Sequence, residues 1–157
     1  ENAAPLAISI TRREHLCALL AERTGNANIC NIRRVSTIIG LIPKDTISRG
    51  AADPSMPSRP NPVYLATAES VCEAVARTVV VNGRNAQFSS ATPNRTIERI
   101  VNQLMALESD PARASEVQGI LRAHFEEARA ANTSQIESLR SVFSIACLSP
   151  DVTGMGL

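Results

Sequence analysis

The chain has 157 residues, 44% of them hydrophobic, which is enough to bury one sizeable core in a single domain. Sixteen basic residues oppose fifteen acidic ones, leaving a formal net charge of +1, so no overall field favours nucleic acid or an anionic membrane. One Tyr, three Phe and no Trp give little surface for stacking on bases or sugars, and the core is expected to be aliphatic.

In chain order, Leu6 to Ile10 alternates like a short strand. Thr11 and Glu14 form a capping-box signature ahead of Leu16, Leu19 and Leu20, which predicts a first helix running to Gly25. Ile32, Val35, Ile39 and Ile42 recur at three-and-four spacing up to Pro43, predicting a second helix, with a strand as the alternative because the segment is β-branched. Residues 46–62 carry Gly50, Pro54, Pro57, Pro60 and Pro62 and read as a long Pro-rich surface loop. Asn61 and Pro62 then open a third helix whose apolar face holds Leu65, Ala68, Val71, Cys72, Val75 and Val79.

Asn82-Gly83 is a turn signal that either closes a hairpin with Ala86 to Phe88 or simply ends the third helix; termination is the preferred reading. Thr92-Pro93 starts a fourth helix with Ile97, Ile100, Val101 and Leu104 on one face. Asp110-Pro111 starts a fifth with Val117, Ile120, Leu121, His124, Phe125 and Ala128. Ser134 and Glu137 form another capping box before Ile136, Leu139, Val142, Phe143 and Cys147, and Pro150 is expected to end that sixth helix. Residues 151–157 form a mostly small, apolar tail. Short connections between the last three helices predict antiparallel neighbours, so the expected fold is an all-α bundle of about five to six helices, residues 1–157 forming one domain.

The four cysteines, Cys17, Cys30, Cys72 and Cys147, lack metal-type spacing and lie singly within amphipathic segments. That arrangement suits two disulfides in an oxidising compartment better than a thiol catalyst or zinc site; four reduced, buried cysteines are the alternative. Three pairings are open, and Cys17 with Cys30 and Cys72 with Cys147 are preferred. The second pair would close a loop of about 75 residues and stabilise by roughly 4 kcal/mol in the chain-entropy model.

A start at Glu1 without a targeting pattern leads us to expect a mature secreted or periplasmic protein whose signal peptide is gone, and no run of about 18 apolar residues predicts a transmembrane segment. Asn94-Arg95-Thr96 and Asn132-Thr133-Ser134 match the glycosylation sequon, a short pattern that arises often by chance.

For chemistry, His124 lies on the apolar stripe of the fifth helix, where a hydrogen-bonded core histidine is the ordinary explanation. Glu127 is three residues away, but two side chains do not make a metal site and no Glu-x-x-His motif is present. His15 reads as a surface residue, because Glu14 and Cys17 do not share its helical face. Arg12-Arg13 and Arg33-Arg34 read as solvated pairs rather than anion sites. No nucleophile elbow, phosphate loop, dinucleotide fingerprint, zincin motif or haem-attachment motif occurs, so no cofactor or metal is expected.

The stretch Leu139 to Asp151, LRSVFSIACLSPD, resembles the closing helix of helical domains in large secreted proteins of planctomycetes and myxobacteria, some of which accompany haem-carrying modules. The resemblance implies a bacterial, exported origin and carries over no site. The expected function is that of an exported structural or interaction subunit, associating with itself or another secreted protein through Pro54, Met56, Pro57 and Arg59 of the loop and Met155 and Leu157 of the tail. A monomeric binding module for an apolar or amphipathic small ligand is the alternative, and an enzyme using His124 a third reading.

Overall fold

A computed structural model describes residues 9–10, 13–42 and 62–155 of the chain. Those residues are mostly helical: α1 (Arg13–Thr24), α2 (Arg33–Ile39), α3 (Pro62–Val79), α4 (Pro93–Arg99), α5 (Pro111–Ala130), α6 (Gln135–Cys147) and the single turn α7 (Pro150–Thr153). A 3-10 turn, Ile29–Asn31, links α1 to α2, and a π-helical segment, Ile100–Leu104, continues α4. Four two-residue strands complete the description, β1 (Ser9–Ile10), β2 (Val80–Val81), β3 (Phe88–Ser89) and β4 (Gly154–Met155). The second segment, ambiguous from its β-branched residues, is helical: Val35 and Ile39 are buried while Thr37 between them is exposed, whereas a strand would have turned all three to one face.

Local chemistry sets several helix ends. Asp110 accepts the Arg113 N–H at the start of α5, and Ser134 accepts the Glu137 N–H at the start of α6, so two orphan donors are satisfied by the side chains their spacing predicts. The Glu137 carboxylate does not complete a box; it pairs with Arg140 at 2.6 Å. Three helix ends close through a left-handed residue: Gly25 (φ 64°) after α1, Ala106 (φ 56°) after the π-segment and Asn132 (φ 62°) after α5. At Gly25 the Asn26 N–H reaches the Ala21 carbonyl and the Gly25 N–H the Glu22 carbonyl, the paired bonds of a Schellman ending. The same pair recurs at Asn132, with Thr133 N–H to Ala128 and Asn132 N–H to Arg129.

The amphipathic face of α6 is the centre of the packing. Ser138, Leu139, Val142, Phe143, Ala146 and Cys147 are all buried, and α6 meets α3, α4, α5 and the π-segment. Its Phe143 ring stands edge-on to Phe88 with centroids 5.3 Å apart, a favoured aromatic geometry. From α3, Ala68, Val71, Cys72, Ala74, Val75 and Ala76 are buried, and the three alanines add little bulk where that helix packs. Leu16, Leu20, Ile29, Val35, Ile39 and Ile42 carry the same core into α1 and α2.

Several sequence expectations change in detail. The third helix ends at Val79, yet Val80–Val81 also pairs with Phe88–Ser89, and in parallel rather than as a hairpin. Pro150 follows the end of α6 and also opens α7, whose Val152 is fully buried, so the tail begins inside the core. Leu65 and Ile120, both placed on apolar faces by periodicity, are 51% and 62% exposed. Each belongs to a helix whose buried strip is narrower than its apolar strip.

Candidate functional site: two bridges and the α5–α6 face

The two disulfides join different tiers of the fold. Cys17 on α1 bonds Cys30 in the 3-10 turn, with Cα atoms 5.8 Å apart, and Cys72 on α3 bonds Cys147 on α6, at 5.7 Å. The surroundings differ: Cys72 and Cys147 are buried in the centre, whereas Cys17 and Cys30 are half-buried at the edge of the cluster. Both pairs fit an oxidising compartment. Among the described residues, no helix is long and apolar enough to cross a membrane.

His124 sits half-buried on α5 with its Nε2 2.8 Å from Ser141 Oγ on α6. One partner donates and the other accepts according to the imidazole tautomer, and the ring thereby fixes the level at which α5 and α6 meet. The helices run antiparallel, since Arg113 near the start of α5 contacts Asp151 beyond the end of α6. One turn back from His124 is Ile120 and one turn on from Ser141 is Ile145, so these two side chains come level on the same hairpin. Both are exposed, Ile145 by 45%. Val117 and Leu148, about one further turn along, are partly buried against the core. Glu126 and Glu127 are exposed, and no group of three or more His, Cys, Asp or Glu among the described residues could hold a metal ion. His15 is exposed on α1.

Pro54, Met56, Pro57, Arg59 and Leu157, expected as contact residues, lie outside the described residues. Met155 lies in β4, whose backbone pairs antiparallel with β1, Ser9 opposite Met155 and Ile10 opposite Gly154.

Arginines do more inside the fold than their sequence positions suggest. Arg13, grouped by sequence with a solvated basic pair, instead donates from Nε to the Ile42 carbonyl at 2.9 Å and from its terminal nitrogen to the Ile42 and Gly40 carbonyls, holding the end of α2 against α1. Arg33 and Arg34 are exposed. Arg23 donates from one terminal nitrogen to the Leu104 carbonyl at 2.5 Å and the Asp151 carbonyl at 2.8 Å, joining α1, the π-segment and α7. Burial pulls its guanidinium below the ordinary arginine value, while Glu22 and Asp151 oppose the shift by their charge. Asp151 in turn receives Arg113, whose terminal nitrogen is 2.8 Å from both carboxylate oxygens. No periodic pattern marks these contacts, because the partners, backbone carbonyls and the Asp151 carboxylate, lie far away in sequence.

A helical core spanned by two disulfides and edged by an apolar pair on α5 and α6 defines the class of the protein: an all-α, disulfide-cross-linked fold. Comparison with protein-family models, with curated proteins and with solved structures found no match.

Proposed function

We propose that the chain is an exported, bacterial, disulfide-stabilised helical subunit whose role is structural, and that it assembles with further copies of itself. The observation that carries the reading is the level pair Ile120 and Ile145, exposed beside a rigidly bonded His124–Ser141 contact. Two apolar side chains at one height on antiparallel helices suit an isologous contact, in which Ile120 of one copy meets Ile145 of another and the reverse. The two disulfides support export, and the resemblance of residues 139–151 supports the bacterial source. The Pro-rich loop and the tail are the further contacts of the proposal.

Light scattering on the oxidised protein across a concentration series tests it. The expected result is a regular oligomer that falls to the monomer mass in the Ile120→Glu/Ile145→Glu variant, whose fold is spared because both positions are exposed. Deleting residues 50–58 and 153–157 is expected to weaken the same assembly. A clean monomer throughout overturns the reading, and a thermal shift of that monomer with lipids would favour the ligand-binding alternative.

A further inference from the structure

We infer that Cys17–Cys30 is a thiol-exchange site, open to small thiols and dithiols while the protein stays folded, and that Cys72–Cys147 is closed to the same reagents. Access decides which bridge a thiolate can attack, along with the thiol's own ionisation. Cys72 and Cys147 are exposed by 1% and 0%, within the α3–α6 contact, so a thiolate reaches them only when those helices part. Cys17 and Cys30 are only half-buried, beside the exposed Ala18 and Asn31.

The segments joined by the Cys17–Cys30 bridge have other anchors. Leu16 and Leu20 flank Cys17 in the core, and Ile29 precedes Cys30 there, all at 0% exposure. Arg13 holds the end of α2, and Arg23 holds α1 to the π-segment and α7. Breaking the S–S bond removes a covalent link but none of these contacts, so α1 and the 3-10 turn stay docked.

The exchange is a balanced two-step transfer. A thiolate attacks one bridge sulfur, forming a mixed disulfide and expelling the other cysteine as thiolate. A second thiol, or the second sulfur of a dithiol, then attacks the mixed disulfide, releasing the oxidised reagent. The bridge gains two electrons and its cysteines take up the two protons of the thiols, leaving Cys17 and Cys30 as free thiols. The intermediate is a covalent adduct between the small thiol and one cysteine of the bridge.

The test is dithiothreitol applied to the oxidised full chain without denaturant, followed by a maleimide quench, intact mass and peptide mapping. The expected outcome is two labels, on Cys17 and Cys30, appearing at least about tenfold faster than any at Cys72 or Cys147, with the helical circular dichroism and a cooperative melt retained. A Cys17→Ser/Cys30→Ser variant is expected to fold and to take no label under the same conditions. Four labels arriving together, labels first on Cys72 and Cys147, or no label before unfolding would each overturn the inference.

Discussion

The α1–α2 region and the α3–α6 region carry one disulfide each, and they are held in different ways. Around α6, apolar side chains from three other helices and the π-segment close over Phe143, Val142 and Leu139, and the Cys72–Cys147 bridge lies inside that packing. In the α1–α2 region the helices are shorter, 12 and 7 residues, too short to be stable alone. There a half-buried bridge and two arginines bonded to backbone carbonyls supplement a thinner set of buried aliphatics. The contrast teaches that a bridge in a dense core sets global stability, whereas one at the edge sets the stability of its own segment.

The sharpest way to break that comparison is at its centre. Phe143→Ala removes a fully buried ring and its edge-on contact with Phe88, and should cost about 3–5 kcal/mol in chemical denaturation. Removing the bridges separately sharpens it. Cys72→Ser/Cys147→Ser should cost roughly 4 kcal/mol, and Cys17→Ser/Cys30→Ser about 3 kcal/mol, since the loops closed span 75 and 13 residues. Amide exchange should then accelerate everywhere for the first pair, and mainly in α1, the 3-10 turn and α2 for the second.

Smaller effects belong to the helix ends. Gly25→Ala should cost about 1–2 kcal/mol from the left-handed backbone alone, and its Cβ would also lie 2.9 Å from Oε1 of Gln87, whose amide nitrogen is tied to Arg23 O and Gln103. Ala106→Gly reverses that logic, relieving a Cβ in the same conformation, and should stabilise by about 1 kcal/mol. Asn132→Gly, at a residue that already tolerates the left-handed region, should stabilise by only a few tenths of a kcal/mol. Thermal melts of the three variants check both the signs and the order.

Much of this architecture is legible in the residues. Pro93, Pro111 and Ser134 mark helix starts where the structure has them, because the signals are local: proline has a helical φ and no N–H to leave unpaired in the first turn, and Ser134 caps a backbone donor with its side-chain oxygen. The buried face of α6 follows from its spacing, and the all-α class from the run of such segments. What periodicity does not carry is the width of the buried strip. Leu65 and Ile120 have the right phase, but both are exposed, and among the described residues no helix buries the edge on which they lie. Nor does it carry the Val80–Phe88 pairing, two residues long and dependent on where α4 packs, or the widening of the backbone at Ile100–Leu104, whose apolar residues have ordinary helical spacing. Arg13 and Arg23 were illegible for another reason: each satisfies main-chain carbonyls that become neighbours only after the chain has folded. The apolar pair of the α5–α6 face emerges only when the level of the two helices is fixed, which the His124–Ser141 bond does.

Native-state hydrogen exchange of the oxidised protein, read amide by amide with added denaturant, tests the division between the two regions most directly. Amides of α3 and α6 are predicted to exchange only through global unfolding, and those of α1 and α2 through a separate opening of lower free energy. A single opening free energy shared by all four helices, or a weaker α3–α6 than α1–α2, would contradict it.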